Sequence, residues 1–264
     1  MDWSNSTSNF SNSLIFFILL LPLAFAPGQS RLTIRGGTHV AWSPPFHYLT
    51  HVYLPTLART GLEARAEIER WGWYPIGGGE MTASIRGRRE SCLSGLDLVE
   101  RGELKRLWGI SATSNLPAHI GQRQKKRAEG YLQKRGFDPR IEIVEAPSPG
   151  QGTVVFLVAE YEHSVAGFSS PGRRGKPAEK VAEEACREFI EYHQSGACLD
   201  EHLADQLILP MALASGPSAF TTSKITQHLL TNVWVVEQFL DVRFDIKGEE
   251  GQRGRVQKPA SGSS

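Results

Sequence analysis

The sequence predicts an α/β fold, in which a helix-strand-helix-strand-strand unit is used twice around a smaller inserted α/β domain. Three observations predict it. Residues 19–28 read LLLPLAFAPG and residues 207–216 read LILPMALASG, with Pro22 over Pro210, Ala24 over Ala212 and Gly28 over Gly216, which is an internal repeat. In both copies a serine follows the glycine at two residues (Ser30, Ser218), then a strand-like segment, then a second helical stretch. Between the copies runs a stretch of different character, residues 88–196, with its own helices and a strongly apolar strand.

Composition agrees with a folded protein. The chain has 264 residues with 29 Lys and Arg against 28 Asp and Glu, and 40% are hydrophobic, which excludes a disordered acidic tail and a wholly basic nucleic-acid coat. Cys92, Cys186 and Cys198 form no CxxC pair and are odd in number, which argues against a disulfide scaffold and fits a reducing, intracellular compartment.

The elements follow in order. Residues 14–26, LIFFILLLPLAFA, are uncharged and end like a secretory leader, but no Lys or Arg precedes them and Asp2 does. A leader needs a positive start and a membrane span needs more length, so the repeat makes this segment a core helix rather than a signal or anchor. Residues 31–34 predict a strand. Ser43-Pro44-Pro45 opens a helix through Leu57, with Gly61 just past its end, placing proline early and glycine late as helices prefer. Residues 63–74 alternate like a strand, 75–79 make a turn with three consecutive glycines for positive φ, and 81–85 return as a strand. The second copy predicts a helix over 203–214, a strand over 219–225, a helix over 227–240 and a strand over 242–246. The insert predicts a basic helix over 122–135, a strand over 140–145, a strand over 153–159 and a helix over 178–194.

Candidate chemistry is concentrated in few places. His47 and His51 stand four apart on a predicted helix, as zinc ligands do, but Tyr48 takes the place of the glutamate such a motif needs, so a structural role is the expectation and no metal centre is assigned. Residues 81–140 carry 13 Lys and Arg against 6 Asp and Glu, including Arg123, Lys125, Lys126 and Arg127, a local basic face that binds phosphate only if the side chains converge. The loop FSSPGRRGKPAEK puts Arg173, Arg174 and Lys176 before Pro177, which opens a helix. The segments DEHLADQ and QHLLTN gather polar groups at two helix openings, at the end of the sheet where α/β proteins bind ligands.

The strings RGGTHVAWSPPFHYLTHVYLP, GWYPIGGGE, SSPGRRGKPAEKVAEEA, DEHLADQLILPMALA and ITQHLLTN, spread over residues 14–246, resemble the RNA 3′-terminal phosphate cyclase family. That resemblance implies a large domain of repeated βαβαββ-type units with a smaller inserted α/β domain. It implies an ATP-dependent ligase that converts an RNA 3′-phosphate into a 2′,3′-cyclic phosphate, releasing AMP and pyrophosphate. It implies His228, in the segment matching the family's nucleophile motif, as the residue that takes AMP. Asp205, Gln206 and Pro44 match nucleotide-binding positions, and His202 stands where relatives often carry tyrosine. ATP and Mg²⁺ are the implied cofactors, RNA with a 3′-phosphate end is the implied partner, and no membrane is expected. Arg173, Arg174, Lys176 and the basic face of the insert become candidates for RNA backbone contacts.

The resemblance also implies a difference. Family members carry about another third of a chain before the position matched by Leu14, where this sequence has MDWSNSTSNFSNS. The expectation is therefore a chain short of one repeat unit and impaired in activity, with a non-catalytic RNA-binding or ribosome-assembly relative as the alternative. Retention of His228 with Asp205 and Gln206 disfavours that alternative. The expected organisation is an unmatched, disordered 1–13, a large domain over 14–87 and 197–247, an insert over 88–196, and a disordered tail over 248–264.

Overall fold

The computed structural model describes residues 10–88 and 92–260. Expectations for residues 1–9 and 261–264 lie outside the described residues. Helix α1, Asn12–Ala24, starts at Ser11, whose Oγ accepts from the Leu14 N–H at 3.4 Å, a serine N-cap satisfying one of the helix's free amides. Phe16, Leu20, Leu21 and Ala24 are buried on one side, so the apolar run forms part of the core. No helix among the described residues is long and apolar enough to cross a membrane.

Strand β1, Gln29–Gly36, follows, then a nearly continuous helical rod made of α2, Phe46–Tyr48, a π-helical turn, Leu49–Tyr53, and α3, Leu54–Ala58. Gly61 ends it with φ +86°, the left-handed conformation that glycine adopts without strain. Strands β2, Glu63–Arg70, and β3, Gly79–Arg86, complete an antiparallel sheet of order β1-β3-β2. In β3 the side chains of Met81, Ala83 and Ile85 are buried at alternate positions, the period-two pattern of a strand with one face on a core.

The glycine run does two jobs. Gly77 and Gly78 have positive φ, as the turn requires. Gly79 does not; a Cβ there would lie 2.5 Å from the Gly72 N and 2.8 Å from its Cα. Because those are backbone atoms, neither β3 nor the segment after β2 can yield cheaply. Gly79→Ala is expected to lower unfolding free energy by about 1–3 kcal/mol, measured by urea denaturation, and an unchanged midpoint would contradict the close-approach reading.

Between the units come β4, Leu93–Ser94, β5, Asp97–Leu98, β6, Leu104–Ser114, α4, His119–Gln133, β7, Arg140–Glu145, β8, Gly152–Tyr161, β9, Val165–Pro171, and α5, Ala178–Ser195. The last four strands make a sheet of order β7-β6-β8-β9 with α4 and α5 on one face. Residues 154–159 of β8 are all apolar because the strand is buried on both sides there. Val155, Leu157 and Ala159 face the helices of the insert, while Val154, Phe156 and Val158 join the main core with Leu49 and Val52 of the rod. The insert sheet is thus one wall of the large domain. Strands β4 and β5 fall inside the stretch expected to belong to the insert, yet they pair in parallel with strands of the second unit. Their buried Leu93, Leu96 and Leu98 belong to the main core.

The second unit comprises α6, Glu201–Gln206, α7, Ile208–Leu213, β10, Ala214–Ser215, β11, Ser218–Thr222, α8, Gln227–Phe239, β12, Asp245–Lys247, and β13, Gly254–Lys258. The single helix expected over 203–214 is divided at Leu207, which ends α6 and caps α7. A larger correction concerns the tail. Residues 248–260, read as disordered because they look polar, contain β13, which pairs with both β11 and β12 and buries Val256 completely. The sheet order β12-β13-β11-β5 repeats that of the first unit, the last strand again inserted between the other two.

Candidate functional site

A cleft of about 1380 Å³ opens between α6, α7 and α8, the loop ahead of α2, and the insert's β9 and α5. Pro44, His202, Asp205, Gln206 and His228 all line it, although they come from three separate stretches of sequence.

Helix α6 places the first group. Asp200 is its N-cap, and Oδ1 accepts from the backbone N–H of His202 at 3.0 Å and of Leu203 at 2.9 Å. The same oxygen accepts from the Tyr48 hydroxyl at 2.7 Å, tying the helix to the first unit. Burial raises the Asp200 pKa, opposed by nearby His202 and by the Tyr48 hydrogen bond, and burial with the Asp200 charge raises that of Tyr48 well above a phenol's usual value. Tyr48 is therefore the fixed donor. With that cap in place, positions 202, 205 and 206 fall three and four apart, on one face. Burial pushes Asp205 up to about 6, opposed by His202 and His228. Gln206 Oε1 is buried with no hydrogen-bond partner among the described residues, an acceptor left for a donor from outside the chain.

Helix α8 places His228. Thr226 caps it, with its Oγ1 accepting from the Leu229 N–H at 3.1 Å. His228 is the second helical residue and is exposed, so its imidazole stands in the cleft where the helix's free amides and dipole favour negative charge. The Asn232 side-chain amide donates to the Asp205 carbonyl at 3.2 Å, fixing α8 against α6. Pro44 is half-buried, just ahead of Pro45, the residue preceding α2.

His47 is also the second residue of its helix in the equivalent position of the first unit, and it is held differently. One ring nitrogen meets His39 Nε2 at 2.9 Å, and the ring lies 4.8 Å from Trp71 and 5.9 Å from Phe156, centre to centre. His39 stacks on Trp71 at 4.0 Å and its other nitrogen meets Thr38 Oγ1 at 2.9 Å. Burial, reinforced by His51, lowers His47 to about 3, so this pair is neutral packing. The described residues contain no group of three or more His, Cys, Asp or Glu that could hold a metal.

The basic residues are less concentrated on the cleft than their number suggested. Arg123 makes two hydrogen bonds to Glu179 at 2.8 Å, Arg127 pairs with Glu183, and Lys125 with Glu129. Three of the four cations of the run are thus spent along and between α4 and α5, in solvent-exposed pairs that add little to stability. Lys176, read as an RNA contact, is instead half-buried against Glu184, Ser170 and the Pro171 carbonyl. Of the cations in that loop, Arg173 and Arg174 are exposed, with no side-chain hydrogen bond or ion pair among the described residues. Sequence reasoning missed Tyr48 and Asp200. The signal was the N-cap pattern ahead of α6, since Asp is a preferred cap, but the partner tyrosine is distant in sequence.

Comparison with known proteins follows the same lines. A family model described as RNA 3′-terminal phosphate cyclase matches residues 3–246, reaching back into the segment read as unmatched. The chain is 46% identical over 227 residues to an RNA 3′-terminal phosphate cyclase of Trichormus variabilis, covering 86% of this chain and 65% of the relative. It is 43% identical over 250 residues to one of Gloeothece citriformis, covering 95% and 71%. It is 46% identical over 245 residues to one of Methylococcus capsulatus, covering 92% and 67%. The chain spans about two thirds of the length of these curated relatives.

Proposed function

Because the chain belongs to the RNA 3′-terminal phosphate cyclase family, we propose that it uses ATP to convert an RNA 3′-phosphate into a 2′,3′-cyclic phosphate, with His228 as the nucleophile. The observation that carries this reading is the convergence of His228, His202, Asp205, Gln206 and Pro44 on one cleft. The His228 imidazole attacks the α-phosphate of ATP, forming a P–N bond and releasing pyrophosphate. An oxygen of the RNA 3′-phosphate then displaces the imidazole from AMP. The neighbouring 2′-hydroxyl attacks the activated 3′-phosphorus, loses its proton and expels AMP.

The residues present fit a nucleotide. Gln206 Oε1 is a buried acceptor without a donor among the described residues, suited to the N–H donors of a base, and Asp205 in the same cleft is suited to accept from a sugar hydroxyl. Thr226 and the first amides of α8 favour phosphate next to His228. Asp205, a carboxylate of the cleft lining, would be a protein ligand for Mg²⁺, which would supply neutralisation of triphosphate charge; such ions commonly take one or two carboxylates together with substrate phosphates.

The reading is tested by incubating the chain with ATP, Mg²⁺ and an oligoribonucleotide ending in a 3′-phosphate. A phosphatase-resistant, cyclic end supports it, and an end that remains phosphatase-sensitive with a folded chain favours a non-catalytic RNA-binding role.

A pH dependence follows from Asp205. Its folded-state pKa is raised to about 6, so the carboxylate is ionised above that value and lost as pH falls through it. Adenosine, which has no phosphate to titrate, is expected to bind more weakly below pH 6, with Asp205→Asn removing that step in a calorimetric titration. The stability sign is opposite. A raised carboxyl pKa favours the protonated folded state, a contribution present at low pH and lost as pH rises through about 6.

A further inference from the structure

We infer that Trp42 is a stacking platform for the base at the 3′ end of the RNA, a binding residue that rests on the cyclase reading. Trp42 lines the cleft and is 100% exposed. Its φ of 64° is one that bulky side chains rarely adopt. The other described non-glycine residue with positive φ, Asn115, is held by hydrogen bonds from its side chain to the Ser148 and Gly150 carbonyls. Trp42 has no side-chain hydrogen bond and no ring contact among the described residues.

The loop that carries it is nonetheless held at its base. The Phe46 N–H donates to the Thr38 carbonyl at 3.0 Å, the His39 N–H donates to the Gly72 carbonyl at 3.2 Å, and Pro44-Pro45 stiffens the exit. The ring is therefore displayed on a fixed support. A large aromatic face left bare in a cleft suits a planar, apolar ligand, and single-stranded RNA is recognised largely by stacking of its bases on aromatic side chains.

Position selects the RNA base rather than the ATP base. The polar groups that fit the nucleotide, Asp205 and Gln206, are partly buried, whereas Trp42 is wholly exposed. A polymer whose end reaches His228 has to leave through the open side, and Trp42 is the exposed aromatic side chain among the described residues that line the cleft.

The test is the affinity of the full chain for an oligoribonucleotide ending in a 3′-phosphate, read by fluorescence anisotropy, for wild type, Trp42→Ala, Trp42→Gly and Trp42→Phe. Loss of one stacked base is expected to weaken binding about tenfold or more in the alanine and glycine variants, with phenylalanine keeping most of the affinity. Glycine accepts the positive φ, so Trp42→Gly guards against loss through misfolding. An RNA with an abasic 3′ residue should bind wild type and Trp42→Ala equally. Equal affinity of all four proteins for the intact RNA overturns the platform, as does weakened adenosine binding with RNA binding unchanged, which assigns the ring to ATP. Transfer of label from α-labelled ATP to the wild-type chain reports the cyclase reading separately. Label with no Trp42 effect overturns the platform alone, and neither label nor RNA binding overturns both.

Discussion

Replacing His228 with alanine is expected to reduce transfer of label from α-labelled ATP to the protein to background, a fall on the order of a thousandfold or more. The expectation rests on chemistry as well as position. The P–N bond to an imidazole is acid-labile and stable in base, so the label's response to pH identifies the linkage. His228 is exposed at the second position of α8, so the substitution removes the ring without emptying a core site. His228→Asn keeps polarity without a nucleophilic nitrogen and is expected to fail equally. Equal labelling of wild type and either variant would contradict His228 as the nucleophile, and unchanged melting temperatures would show that the loss is chemical. Thr226→Ala tests the support, since losing that cap costs about 1 kcal/mol of stability.

Ending the chain after Lys247 is expected to prevent the second unit from folding. Strand β13 lies inside its sheet, pairing through residues 218–222 with β11 and through residues 245–247 with β12. Removing it strands both neighbours' hydrogen-bonding groups and opens the core around Val256, Phe220 and Ile225. Those combined losses compare with the about 5–15 kcal/mol that holds a whole domain together. The milder Val256→Ala leaves the ladder intact and removes two buried methyl groups, for an expected loss of about 2 kcal/mol at about 0.8 kcal/mol per carbon. Circular dichroism with urea titration measures both. A shortened chain that unfolds at the wild-type midpoint would contradict the role given to this strand.

That strand marks the limit of what could be read beforehand. The helices and strands of the first unit were legible because their apolar spacing is strong and their ends carry proline and glycine, as at Pro45 and Gly61. Strand β13 was not, because GRVQK contains a single large apolar residue, and a short inner strand can rest on one valine when its backbone pairs on both sides. The repeat held the missing information, since a unit ending in two strands in its first copy requires two in its second. Of the candidate site, the α6 and α8 residues were legible as motifs. Tyr48, which ties α6 down from far away in sequence, left no local pattern, nor did the Glu179 and Glu183 partners that draw Arg123 and Arg127 away from a nucleic-acid face.

The matching histidines of the two units bear on how duplicated structure diverges. His47 and His228 hold the same rank in corresponding helices, but the first is clamped by His39 between aromatic rings and the second stands in solvent. The residues that correspond to His202, Asp205 and Gln206 in the first copy are Leu14, Phe17 and Ile18. The two copies thus keep one framework while differing in what they present: the first buries its histidine and lends the cleft its proline loop, and the second exposes its histidine together with the polar face of α6.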